Sequence, residues 1–187
     1  MIAGLVLAAG GGRRYGQPKA LVEHEGQLLV DRAVQTLTAG GCAPILVVLG
    51  AAADEVRGRA ALPGASVVIN RDWPSGIASS LRAGLAALPA TGATAVVVLL
   101  VDTPGITPAA VARLLALAGP AALATATYRG CPGHPVLLGS HHWAGAAESV
   151  SGDHGARGYL ECHQATEVAC EDVADPTDLD HPPGQNG

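Results

Sequence analysis

The sequence predicts an α/β sandwich on a mostly parallel sheet, and three observations carry that prediction. Strand-like and helix-like segments alternate along the chain. The early strand candidates are continuous apolar runs instead of alternating ones, as strands covered on both faces require. At 187 residues, 49% of them apolar, the chain can bury one full core in a single domain. With no phenylalanine, that core must be aliphatic.

The elements follow in order. Ile2–Leu7 is a first strand: it is apolar but has no basic segment before it, so it does not read as a signal peptide. Asp31–Ala39 is a helix stopped by Gly40-Gly41. Ile45–Leu49 and Ser66–Ile69 are strands on either side of a helix at Ala52–Ala61. Ser75–Leu88 has Leu81, Leu85 and Leu88 at helical spacing. Ala95–Val101 is the most apolar strand, and Thr107-Pro108 then supplies an N-cap and an N1 proline for a helix reaching about Leu117. Leu123–Thr127, Val136–Leu138 and Glu167–Asp172 complete the strands, with a last helix from near Gly155 to Cys162. The domain is read as residues 1–179, and 180–187, rich in proline and glycine, as a disordered tail.

Composition excludes several functions. The net charge is −5 with no basic run, so no nucleic-acid surface is expected. No apolar run reaches the length of a membrane span. The four cysteines form no C-x-x-C pair, which reads as reduced thiols in a cytoplasmic protein without a structural metal.

The densest motif is Leu7-Ala8-Ala9-Gly10-Gly11-Gly12-Arg13-Arg14-Tyr15-Gly16-Gln17-Pro18-Lys19, entered directly from the first strand. Lys19 is the only lysine in the chain. Glycine frees backbone N–H groups and basic residues flank them, which reads as a phosphate-binding loop. Two familiar fingerprints fail. Gly11 and Gly16 have the glycine spacing of a P-loop, which needs Lys-Ser/Thr directly after the second glycine, but Gln17-Pro18-Lys19 follows. In a dinucleotide fingerprint starting at Gly10, Tyr15 occupies the third glycine position. The Gly10–Gly16 loop, Asn70-Arg71-Asp72 and Asp102-Thr103 all follow strand ends, so a parallel sheet brings them to one crevice.

The pattern Leu-Ala-Ala-Gly-x-Gly-x-Arg-x-Gly-x-Pro-Lys resembles the signature of nucleotidyltransferases that move a nucleoside monophosphate from an NTP. Within them the chain most resembles the molybdenum-cofactor cytidylyltransferase group. The segments from Asn70 to Gly84, Leu99 to Pro104, Gly133 to Leu137 and Gly152 to Arg157 match that group in type and order. The resemblance implies a three-layer, Rossmann-like sandwich of the nucleotide-diphospho-sugar transferase type. It implies transfer of CMP from CTP to molybdopterin, with Mg²⁺ as cofactor and a molybdenum hydroxylase as a partner for the product. Alternatives are GTP as donor, a sugar or polyol phosphate as acceptor, or a protein that only binds and delivers the molybdenum cofactor.

The residues in the matching motifs take roles accordingly. Catalysis falls to Arg14 at the leaving pyrophosphate, Lys19 at the α-phosphate and Asp102 holding Mg²⁺. No side-chain nucleophile is needed, because the acceptor phosphate is already an oxyanion; positioning and charge stabilisation do the chemistry. Leu7, Ala8, Ala9, Gly10, Gly12 and Gly16 are read as the nucleotide site, with Ala8 and Ala9 narrowing the wall beside the base. Leu-Ala-Ala-Gly goes with cytidine-type enzymes and Leu-Ala-Gly-Gly with guanylyltransferases. Asn70 and Ser79 have two readings, nucleotide ligand or local turn and backbone partner; Trp73 is read as core. His134, Asp153 and Arg157 are candidates for the acceptor site, with Asp153 alternatively capping the last helix. Near the C-terminus the family pattern Asp-x-Asp-Thr-Pro-x-Asp-Leu is altered, with Ala174 at its second aspartate. A second metal ligand is therefore expected at Asp172, with Asp175 as the alternative.

Overall fold

The structure, a computed structural model, describes residues 1–12 and 14–180. Its centre is a seven-stranded sheet. Strand β1 (Ile2–Ala8) is followed by a two-stranded ribbon, β2 (Glu23–His24) and β3 (Gln27–Leu28), which leads into helix α1 (Leu29–Ala39). Then come β4 (Ile45–Leu49), α2 (Ala53–Arg59), β5 (Ala65–Ile69), α3 (Ile77–Ala87), β6 (Ala95–Leu100) and α4 (Pro108–Leu115). The second half holds β7 (Leu123–Tyr128), β8 (Cys131–Gly139), α5 (Trp143–Ser149), α6 (Arg157–Cys162) and β9 (Thr166–Ala169). The sheet order is β5-β4-β1-β6-β8-β7-β9, and β8 alone runs against the others. The predicted mostly parallel α/β sandwich is what forms.

Alternation along the strands divides the core into two layers. Val6, Ala8, Val47, Leu49, Val97 and Leu99 face α1, α2 and α4. Leu5, Leu7, Ala9, Leu46, Val48 and Val98 face α3, α5 and α6. Since successive strand residues point to opposite faces, Leu7 and Ala9 share one side while Ala8 is committed to the other. The α3 layer lies close on the sheet: a β-carbon at Gly84 would come within 2.6 Å of the Leu5 side chain.

Several elements differ from the sequence reading, the short β2–β3 ribbon among them. Helix α5 was not predicted; it spans only seven residues and follows directly on His141-His142. Strand β8 is longer than Val136–Leu138, because Pro132, Gly133 and Pro135 argue locally against a strand. The sheet resolves that conflict. β8 pairs with β6 only from Val136 onward, so its proline segment hydrogen-bonds on the β7 side and lies past the end of the β6 pairing. A register shift between Thr125 and Ala126 accommodates it, and the Thr125 hydroxyl donates to the Gly133 carbonyl at 2.9 Å. No helix among the described residues is long and apolar enough to cross a membrane.

Candidate active site

The site lies at the carboxyl edge of the parallel strands. β1 leads into the glycine loop, which folds back on itself: the Gly16 N–H donates to the Gly12 carbonyl at 2.8 Å. Gly12 has φ +61°, and a β-carbon there would collide with the Gln17 carbonyl, so the turn requires glycine. Trp73 packs over the loop, 3.1 Å from where a β-carbon of Gly11 would sit. It is both a cleft wall and a partner of the α3-side core.

Pro18 opens a 3-10 turn, Lys19–Leu21, that points Lys19 back across the sheet edge. Its Nζ donates to Asp102 Oδ2 at 2.7 Å and to Asp180 Oδ1 at 2.9 Å. Burial opposes the ammonium charge, but the hydrogen bonds and charges of Asp102 and Asp180 outweigh it and hold the group above the ordinary lysine value. Arg14 reaches Asp180 Oδ2 at 3.4 Å from a largely exposed position. Carboxylate oxygens of Asp102, Asp178 and Asp180 lie within 4.8 Å of one another.

These groups border a cleft of about 610 Å³ walled by Leu7, Ala9, Gly10–Gly12, Trp73, Ser80 and Asp102, among others. A second cavity of about 310 Å³ adjoins it, sharing Leu7, Ile77, Leu100 and Asp153. Its walls are mostly aliphatic, from Leu81, Val98, Val136, Leu138 and Leu160, with His134 and Arg157 as polar members. Burial drives the His134 imidazole down to about 4, against the opposing pull of Asp102, so the ring is neutral at physiological pH.

The structure thus brings together Arg14, Lys19, Asp102, Leu7, Ala9, Gly10 and Gly12 in the first cavity. It places His134, Asp153 and Arg157 on the second. Five expectations need correction. Ala8 is 1% exposed and faces the α1-side core, so its side chain is no part of the cleft wall. Asn70 and Ser79 are buried: the Asn70 amide donates to Ser79 and Ser80 hydroxyls at 2.8 and 3.1 Å, and its Oδ1 accepts from the Asp72 N–H. They tie the end of β5 to the start of α3, and Ser80 is the serine that reaches the cleft. Asp172 lies on the exposed side of α4 in a bidentate pair with Arg113, at 2.6 Å for each bond, and does not join Asp102. Asp175 accepts from Thr177 instead.

Of the loop residues, Gly16 is exposed, with φ +88°, and helps close the turn. Arg13 lies outside the described residues. Asp153 does not cap α6, whose N-cap position is Ala156, and Arg157 donates to Glu161 at 2.9 Å.

Sequence reasoning missed Asp178 and Asp180. Their signal was spacing: two carboxylates two apart around an apolar Leu179, in a segment without helix or strand, share one side while Leu179 packs on the core. The expected disordered tail covers 181–187, which lie outside the described residues, and Asp180, which the structure places on Lys19.

Residues 4–168 match the model of the MobA-like NTP transferase domain. The chain belongs to this family. The MobA-like fold is shared with the homologue of Mycobacterium tuberculosis Rv0371c from Mycobacterium sp. strain JC1, at a TM-score of 0.83 and 30% identity over 96% of this chain and 90% of that one. A manganese complex of Rv0371c from M. tuberculosis H37Rv is similar at 0.72 and 29%, covering 90% and 87%. Among relatives, nicotine blue oxidoreductase of Paenarthrobacter nicotinovorans is 40% identical over 167 residues, 85% of this chain and 81% of that one. The molybdenum cofactor guanylyltransferase of Rhodobacter capsulatus is 33% identical over 152 residues, 80% and 70%. As a MobA-like protein, the chain is a nucleotidyltransferase.

Proposed function

We propose that this MobA-like enzyme transfers CMP from CTP to the molybdopterin form of the molybdenum cofactor, releasing pyrophosphate. The observation that carries the reading is the meeting of Lys19 with Asp102 beside the glycine loop. It joins a mobile cation to a carboxylate at the place where a triphosphate enters.

The residues divide the work. Backbone N–H groups of the Gly10–Gly12 turn cradle the triphosphate. Arg14 meets charge at the leaving end and Lys19 follows it at the α-phosphate. Asp102, with Asp178 and Asp180, offers a hard oxygen donor set that fits Mg²⁺ or Mn²⁺. When bound, such a cation neutralises phosphate charge. The manganese complex of the Rv0371c relative supports a divalent cation here.

Two features support the choice of substrates. Ala9 is the position that separates the Leu-Ala-Ala-Gly pattern from Leu-Ala-Gly-Gly, and its methyl lines the cleft, which favours CTP. GTP is the competing donor, and the guanylyltransferase relatives support it. The aliphatic second cavity suits the faces of a fused ring better than a polyol phosphate, whose hydroxyls would find few partners there. Neutral His134 offers a hydrogen bond without charge, while Asp153 and Arg157 stand exposed at the rim. A molybdenum hydroxylase, as recipient of the product, completes the proposal.

Pyrophosphate release tests it, measured with each NTP, Mg²⁺ and a molybdopterin acceptor. Release with CTP exceeding GTP is expected. Release with GTP alone would reverse the donor assignment, and no release with any NTP would leave only a binding and delivery role. The relative named an oxidoreductase favours a second reading, a redox reaction on a small molecule. Its test is oxidation of a reduced nicotinamide cofactor in the absence of NTP, and none is expected, because Tyr15 breaks the dinucleotide fingerprint.

A further inference from the structure

We propose that the C-terminal segment is a built-in competitor for the triphosphate, holding the Asp180 carboxylate in the subsite that phosphate must occupy. The proposal rests on the reading of Lys19 and Arg14 as the phosphate-facing cations. Both are engaged by Asp180, at 2.9 and 3.4 Å. A carboxylate offers these donors the same oxygen anion that a phosphate would. Lys19 keeps its second carboxylate, Asp102, whether or not Asp180 leaves.

The segment is not laid there loosely. After β9, the Cys170 N–H donates to the Thr127 carbonyl at 2.9 Å, and the Thr107 hydroxyl donates to the Val173 carbonyl at 2.9 Å. The Asp175 N–H donates to Gly105 at 3.1 Å, and the Leu179 N–H to Asp102 at 2.9 Å. Gly105 is what permits the approach: a β-carbon there would come within 2.6 Å of the Asp175 carbonyl. Val173, Ala174 and Leu179 pack against the α1-side core. Three contacts along the loop after β6 therefore fix the strap up to Leu179, and Asp180 is the next residue. Ala174, where the related group carries an aspartate, leaves the strap's anionic charge nearest Lys19 to the Asp178–Asp180 end.

The energetic balance suits a device that yields to substrate. Asp180 is 38% exposed and Arg14 74%, so water screens the contact and its net strength is modest. A triphosphate brings several charges and gains the glycine loop as well, so it displaces one carboxylate at a cost in affinity. In the metal-free protein the segment would therefore weaken NTP binding.

The test is calorimetric binding of inorganic triphosphate to the full chain in metal-free buffer at low ionic strength. Asp180→Asn should bind about three- to tenfold tighter than wild type, combining loss of a screened ion pair with loss of repulsion toward the anion. Asp178→Asn removes the same charge nearby without touching the Lys19 contact and should shift binding by less than about twofold. Unchanged or weaker binding by Asp180→Asn, an equal gain in Asp178→Asn, or no binding by any form would overturn the proposal. The probe has no base and no acceptor, and no metal is present. A chain that failed to transfer CMP would therefore refute the functional reading and still give a decisive answer here.

Discussion

Replacing Lys19 with alanine separates binding from chemistry. Lys19 is 15% exposed, with donors 2.7 Å from Asp102 and 2.9 Å from Asp180. On the proposed reading its loss removes the cation nearest the reacting phosphate and leaves two carboxylates near an incoming polyanion. Loss of one positioned donor to a developing oxyanion costs about 2–4 kcal/mol of barrier, or about 30- to 1000-fold in kcat. Loss of that counter-charge beside two carboxylates adds a second effect, a higher KM for the NTP. Because Asp180 is the more exposed of the two, Lys19→Ala combined with Asp180→Asn should recover much of the KM and none of the kcat. The assay is pyrophosphate release under saturating NTP and acceptor, with thermal melting to confirm that each variant is folded. A folded Lys19→Ala enzyme with kcat within about threefold of wild type would refute the reasoning. So would restoration of kcat by the second substitution.

Three further outcomes follow from the same geometry. Asn70→Ala should lower stability by about 1–3 kcal/mol, because it strips two buried hydrogen bonds and a half-buried one. That is a drop in Tm of about 3–10 °C, with the KM for NTP nearly unchanged below the transition; a large KM effect at wild-type Tm would restore Asn70 as a ligand. Asp172→Asn should leave kcat/KM and the metal-activation curve unchanged, since its carboxylate is occupied by Arg113. A rise in the Mg²⁺ concentration needed for half activity would contradict the placement. His134 makes stability fall with acid. The unfolded imidazole takes up a proton near pH 6.5, while burial holds the folded one at about 4. The contribution is therefore complete above about 6.5 and declines as pH drops towards 4, by at most about 3 kcal/mol and less where the ring meets water. Denaturant midpoints at pH 4.5 and 7.5 should differ less in His134→Gln than in wild type; equal differences would remove His134 as the cause.

The sequence was most legible where local pattern and tertiary demand agree. β4 begins and ends where its apolar run does, and Thr107 caps α4 as its position before Pro108 suggests. The Gly10–Lys19 loop was legible for the same reason: glycine at φ +61° and +88° is local chemistry. Side-chain direction was harder. Adjacent Ala8 and Ala9 look alike in sequence and face different layers, a distinction set by strand register alone. Asp172 carried the expected motif position, yet Arg113, 59 residues away, decides its partner. Asp180 was hidden for the opposite reason. Its polar, proline-rich surroundings read as tail, whereas backbone bonds of the preceding residues to the loop after β6, and its own contacts with Lys19 and Arg14, place it at the cleft.

The reversed direction of β8 has an evolutionary consequence. The proposed nucleotide side depends on β1, the turn after it and the loop after β6, all locked into the parallel core. The proposed acceptor side takes part of its wall from one hairpin, β7–β8, whose Pro132–Pro135 stretch has outrun its β6 partner, and from the adjacent α6. Edits to that stretch leave the β6 pairing untouched. A lineage can therefore exchange one acceptor for another while its triphosphate machinery stays intact, and relatives with one scaffold and differently named chemistries are what such a division of labour would produce.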